Sequence, residues 1–140
     1  MIADSAFPSP DVWLAHRVSY GETDAMGRVY YGEFFHLFER ARGQFIRDYG
    51  LSYAEVERRG LLLPVREAGC RYRQPIGYDE LIFIRAGVSR WKRASMAFAY
   101  EIRDDSKERI LATGMTEHAC IDPAGKLQRI PQWFRDIFPE

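Results

Sequence analysis

A chain of 140 residues, 46% hydrophobic and 14% aromatic, has the size of one domain and enough apolar mass to build a core. Its 20 basic and 20 acidic side chains cancel, so no overall field draws it to nucleic acid or to an anionic membrane, and any polyanionic ligand must be held by a local patch. The opening MIADSAFPSPD has neither a basic n-region nor an apolar h-region, and no apolar run is long enough to span a bilayer, so a cytoplasmic protein without membrane insertion is expected.

Short turn signals are the only punctuation, and residues 1–140 therefore read as a single domain with 1–11 as a flexible N-terminal segment. WLAHRVSY, 13–20, has the content of a first strand. From Phe34 the period changes: Phe34, Phe35, Phe38, Ala41, Phe45, Ile46 and Tyr49 recur at three- and four-residue intervals with charged residues between them. This spacing predicts an amphipathic helix ended by Gly50, with an aromatic stripe wide enough to be buried along most of its length against a sheet. Ser52 caps a short second helix, with Glu55 three residues on and Gly60 as its stop.

Beyond Gly60 four segments rich in β-branched and aromatic residues follow: LLLPVREAGCRYRQ, ELIFIRAGVSRW, ASMAFAYEIRD and ILATGMTEHACID. The turns between them, QPIGYDE, WKRA and DDSKER, fit antiparallel connections rather than helical crossovers. In the third, Met96, Phe98, Tyr100 and Ile102 share one face, and one side must be core. PQWFRDIF opens a last helix at Pro131. The fold class is α+β, one long buried helix on an antiparallel sheet.

Few side chains are placed for chemistry. Cys70 and Cys120 lack CxxC spacing and read as two reduced thiols. The histidines at 16, 36 and 118 lack ligand spacing, and no nucleophile elbow, HExxH, P-loop or GxGxxG occurs, so neither a metal site nor a cofactor is expected. His36 is placed to pair with Glu33 or Glu39 on the helix surface, and His118 reads as structural. The stretch ETDAMGRVYYGEFF, 22–35, is the informative one. Asp24 and Gly27 are ordinary turn residues, and Tyr30 and Tyr31 can simply wall the mouth of the helix. Yet the N–H groups at a helix start are unpaired and carry the positive end of the helix dipole, where an oxygen gaining negative charge is stabilised.

YGETDAMGRVYYGEFFHLFERAR resembles the start of the hotdog-fold acyl-CoA thioesterases, in particular the 4-hydroxybenzoyl-CoA thioesterase and YbgC-like group. The shared pattern is carried by Asp24, Gly27, Val29, Tyr30 and Tyr31, then by Glu39, Ala41 and Arg42, and by RYRQPIGYDELIFI; the resemblance runs from about 13 to about 135. It implies a five-stranded antiparallel sheet wrapped around a long central helix. It also implies hydrolysis of an acyl-CoA, or acyl carrier protein, thioester. Asp24 would act as nucleophile or as general base for water, and the Tyr31 backbone N–H would polarise the carbonyl. An ionised Asp is chemically suited to either role. Many YbgC-like members have His where Tyr31 stands, whereas hydroxybenzoyl-type members have Tyr.

The phosphates of coenzyme A need local cations. The resemblance points to Arg90, Lys92, Arg93 and Ser95, which read equally well as a solvated hairpin turn, and to Arg129, although Gln128 holds the place where relatives have Arg. Family sites lie between protomers, implying a homodimer or homotetramer. Two other readings remain: a non-catalytic acyl-CoA-binding hotdog domain, and a hydratase, which would want a His where Val29 stands.

Overall fold

The computed structural model describes residues 7–139. Five antiparallel strands form one sheet: β1 Asp11–Arg17, β2 Val65–Tyr72, β3 Leu81–Trp91, β4 Ser95–Arg103 and β5 Ile110–Ala119, in the order β1-β3-β4-β5-β2. Helix α1, Glu33–Asp48, lies across the inner face, α2, Tyr53–Arg58, follows it, and α3, Gln132–Arg135, closes the chain. This is the layout that the resemblance implied.

The helical period does what it predicted. Phe34, Leu37, Phe38, Ala41, Phe45 and Ile46 are buried against the sheet, and Gly50 ends the helix region with φ +105°, which only glycine adopts without strain. Ser52 Oγ accepts from the Glu55 N–H at 3.1 Å, capping α2. Phe38 is the centre of the packing: its ring stacks on Tyr100 at 4.4 Å between centroids, and a Cβ on Gly114, the cross-strand neighbour of Tyr100, would collide with it.

β4 faces α1 through Met96, Phe98, Tyr100 and Ile102, the predicted set, but its other face is also closed. There Arg85, Glu101 and Arg103 are all less than 10% exposed. Arg85 Nε donates to Asp11 Oδ2 at 2.6 Å and Arg103 Nη2 lies 2.9 Å from Glu101 Oε1. A central strand is covered on its outer side by long charged side chains paired with one another, which alternation alone cannot reveal.

Three boundaries move. β1 begins at Asp11 and ends at Arg17, because Val18 and the residues after it leave the sheet for the turn that carries Asp24. The loose N-terminal segment shrinks accordingly, since Phe7 packs under the Arg85 guanidinium at 4.2 Å; residues 1–6 lie outside the described ones. The last helix keeps only one turn, with Phe134 buried. No helix among the described residues is long and apolar enough to cross a membrane.

Candidate active site

The segment from Ser19 to Gly32 is a tight loop held on several sides. Asp24 N–H donates to Arg28 O at 2.8 Å and Gly27 N–H to Asp24 O at 2.9 Å, closing a turn that Gly27 completes at φ +76°. Val29 N–H donates to Ile76 O at 2.8 Å, tying the loop to the β2–β3 connection. Glu22 anchors its start. Its Oε1 accepts from Ser19 N–H at 2.7 Å and from His16 Nε2 at 2.8 Å, while Arg40 of α1 donates to His16 Nδ1 at 2.9 Å. Burial pushes the Glu22 carboxyl up, but the bonds from Ser19 and His16 outweigh it and hold the carboxyl below the ordinary range.

Within this frame the two carboxylate oxygens of Asp24 differ. Oδ1 accepts from Met26 N–H at 2.9 Å and Arg28 N–H at 3.3 Å, so it is spent on the turn. Oδ2 has no hydrogen bond among the described residues. Asp24 is therefore a turn former through one oxygen only: Oδ1 fixes the loop, and Oδ2 makes no hydrogen bond among the described residues.

Tyr31 stands slightly apart from its expected place. Helix α1 starts at Glu33 with Gly32 as its cap, so Tyr31 precedes the helix. A turn closed by Glu33 N–H to Tyr30 O at 2.9 Å extends the helix backwards and leaves the Tyr31 N–H without a hydrogen bond among the described residues. The Tyr31 carbonyl accepts from Tyr72 Oη at 2.9 Å, so the end of β2 also holds this backbone. Burial, followed by the neighbouring Cys70, pushes the Tyr72 phenol up to about 12, keeping it a neutral donor.

Asp24, Tyr31, Phe34 and Tyr72 line one cleft of about 340 Å³, with Val29 and Ile76 at its floor. Carboxylate, free N–H and an aromatic wall thus meet in one place, Phe34 and Tyr72 packing edge to face at 4.7 Å. Tyr30 is half-exposed beside Tyr31, 4.7 Å between rings, and does not line the cleft, because its N–H is turned to Glu22 O.

The basic residues lie elsewhere. Trp91, Met96, His118 and Val65 stand in one row across the sheet, at the end opposite Tyr72. Lys92 and Arg93 are exposed there, and the Ile130 N–H bond to Arg93 O at 2.8 Å brings exposed Arg129 alongside. Arg90 is already in an ion pair with Glu117 at 3.4 Å, shared with Arg66. Ser95 leaves the set: it is 5% exposed, drawn into the sheet as the first residue of β4, and its hydroxyl is not presented to a nucleotide. His36 is exposed and makes no ion pair among the described residues, so the expected helix-surface pair is absent; its ring is left to water. No three His, Cys, Asp or Glu side chains gather to hold a metal among the described residues.

The family model described as the thioesterase-like superfamily matches residues 18–138, from just before the Asp24 loop to the last helix. The chain belongs to the thioesterase-like superfamily. An acyl-CoA thioesterase of Haemophilus influenzae, YbgC, is 29% identical over 115 residues, 81% of this chain and 82% of that protein. DHNA-CoA thioesterase from Staphylococcus aureus superposes with a TM-score of 0.82 at 31% identity, over 90% of this chain and 85% of that one. A hypothetical protein from Aquifex aeolicus superposes at 0.86 and 28% identity, over 91% and 99%. The thioesterase-like sheet and helix are thus those of the hotdog fold.

The thioesterase-like core also holds polar residues that sequence patterns do not flag. Tyr72 and the His16–Glu22–Arg40 clamp hold the loop, and although Tyr72, Glu22 and Arg40 lie within the family-like stretches, the pattern assigns them no role. His118 is structural, as expected, but it heads a buried chain. Its Nδ1 bonds Leu63 O at 2.9 Å, and since a carbonyl only accepts, Nδ1 carries the hydrogen. Desolvation lowers the His118 pKa from 6.5 to about 4, so the ring is neutral.

Between pH 6.5 and about 4 the unfolded chain takes up a proton that the folded one refuses. Stability is therefore full above pH 6.5 and falls as pH drops toward 4, by at most about 3 kcal/mol. Urea midpoints at pH 4.5 and 7.5 are expected to show this fall in the wild type and a flatter profile in His118→Gln. An equal slope in both would remove His118 as its source.

Proposed function

We propose that the protein hydrolyses an acyl-CoA thioester to free acid and coenzyme A at the Asp24 cleft. The observation that carries this reading is the unequal use of the Asp24 carboxylate: Oδ1 is bound into the turn, and Oδ2 is free in a cleft that also contains the unpaired Tyr31 N–H. A thioester carbonyl seated there has its carbon toward Oδ2 and its oxygen toward the N–H. In one route Oδ2 attacks the carbonyl carbon, the thiolate of coenzyme A leaves, and water hydrolyses the mixed anhydride; in the other Oδ2 takes a proton from the attacking water. In both, negative charge develops on the oxygen facing the Tyr31 N–H, where a preorganised donor lowers the barrier. The acyl-CoA thioesterase name of the Haemophilus relative supports the substrate class.

The site is completed by a second copy. Among the described residues β2 pairs only with β5 and leaves its other edge open, with exposed Val65 and Tyr72 at its two ends. Antiparallel pairing of two β2 strands about Ala68 and Gly69 covers this edge and sets Val65 of the partner subunit beside Tyr72. The basic end carrying Arg90, Lys92, Arg93 and Arg129 then lies next to the Asp24 cleft of the other subunit, positioned for the phosphates of coenzyme A. Sedimentation is expected to give a dimer or a dimer of dimers. A monomer at the concentrations used for activity would contradict the composite site.

Release of free thiol from a panel of aliphatic and aromatic acyl-CoAs tests the activity. Multiple turnovers on at least one are expected. Saturable binding without turnover on any would instead assign the cleft to an acyl-CoA-binding domain.

A further inference from the structure

Two cavities open along α1 from Phe35 to Ile46. One, of about 250 Å³, has Ile46, Leu63, Phe98 and His118 among its walls. The other, of about 280 Å³, runs between Phe35, Val65, Ala68 and Thr116. Glu39 and Arg42 line both, so the two cavities meet at that turn of the helix.

Arg42 at this junction is half-buried, and its Nη1 donates to Tyr100 Oη at 3.0 Å. It is in no ion pair among the described residues. Behind it the protons are assigned by the two ends of the chain. Leu63 O fixes the hydrogen on His118 Nδ1, leaving Nε2 as acceptor for Thr116 Oγ1–H at 2.8 Å. Thr116 Oγ1 in turn accepts from Tyr100 Oη–H at 2.6 Å, and Tyr100 Oη accepts from Arg42. Tyr100, Thr116 and His118 are each at most 3% exposed. One side of the guanidinium is thus held by a buried, fully satisfied chain, while its remaining N–H donors border cavity space that Glu39 also lines without coming within ion-pair distance. Removing an arginine partly from water without a carboxylate partner is costly, and helix-to-sheet anchoring alone does not need a charge. A fixed, forked donor in a pocket of mixed polar and apolar lining, beside Ile46, Leu63, Phe98 and Val65, suits an acceptor oxygen on a ligand.

In the β2-to-β2 pairing proposed above, Val65 of the partner subunit stands beside Tyr72, which sets the partner's Val65-lined cavity next to the Asp24 cleft. We propose that Arg42 receives an acceptor oxygen, hydroxyl or carboxylate, at the far end of an acyl group whose thioester lies at Asp24 of the other subunit. This rests on the composite thioesterase site proposed above. Tyr100 is the positioning residue for Arg42.

The test compares hexanoyl-, 6-hydroxyhexanoyl- and adipyl-CoA, which share chain length and differ at the far end. Wild type is expected to favour one oxygenated substrate over hexanoyl-CoA by about tenfold or more in kcat/KM, and whichever is favoured identifies the oxygen. In Arg42→Met that ratio falls to near one. Tyr100→Phe, which removes only a hydroxyl, lowers the ratio mainly through KM and provides a second reading if Arg42→Met does not fold. Equal kcat/KM on all three substrates in wild type, or a ratio unchanged in both variants, overturns the role of Arg42 and leaves the thioesterase reading standing. No hydrolysis of any of the three by a protein that turns over another acyl-CoA of the panel also overturns the role of Arg42, and no hydrolysis of these three or of any acyl-CoA in the panel overturns both.

Discussion

Asp24→Asn is expected to lower kcat on any acyl-CoA substrate by about a thousandfold or more while leaving the unfolding transition where it is in the wild type. The separation is possible because the turn uses only one carboxylate oxygen. Asn retains an Oδ1 to accept from the N–H groups of Met26 and Arg28, at 2.9 and 3.3 Å in the wild type, so the loop keeps its shape. What changes is Oδ2, which becomes an amide nitrogen that neither attacks a carbonyl nor takes a proton from water at neutral pH. A thousandfold loss corresponds to about 4 kcal/mol of transition-state stabilisation, and because the ground-state contacts of the cleft remain, KM should move little. Asp24→Ala gives a less clean result. It also releases Met26 and Arg28, so a fall in activity would be joined by a looser loop.

The second large effect concerns the core. Phe38→Ala is expected to cost about 4 kcal/mol, the range for a large aromatic deleted from a packed interior. Phe38 is fully buried, stacks on Tyr100, and fills the slot opened by the missing side chain of Gly114. Single domains are stable by only about 5–15 kcal/mol, so the variant should unfold at much lower urea. The slot predicts its own coupling: Gly114→Ala alone drives a methyl into the Phe38 ring, whereas Phe38→Leu beside it makes room. The double variant should be more stable than the two single costs added together. Strict additivity would mean that Phe38 and Gly114 are not the packed pair described here.

Much of this fold is legible in the sequence because its elements are strongly periodic. The stripe from Phe34 to Ile46 could only be a helix buried on a sheet, and the alternation of Met96, Phe98, Tyr100 and Ile102 could only be a strand under it. Gly50 and Gly60 mark helix ends by their positive φ, which the sequence suggests by residue type alone. The site was legible in part. Pattern marks Asp24 as a turn residue, but that the turn occupies only one of its two equivalent oxygens is visible only in three dimensions. Resemblance named Asp24 and Tyr31, but the turn that carries Tyr31 ahead of α1 appears only in three dimensions.

Ser95 was misplaced for a related reason: a hydroxyl beside a basic run reads as surface until the strand it opens is seen to be central. The clamp of His16, Glu22 and Arg40, and the chain from His118 to Arg42, were not legible at all. Their bonded members are 2 to 58 residues apart in sequence and meet only because β1, α1, β4 and β5 share one inner face.

The central claim is most directly tested by following free thiol release from one acyl-CoA substrate with wild type and Asp24→Asn at equal concentrations of folded protein, their unfolding midpoints measured alongside. Many turnovers per subunit are expected in the wild type, with a rate at least about a thousandfold lower in the variant and matching midpoints. Equal rates from the two proteins would contradict that claim.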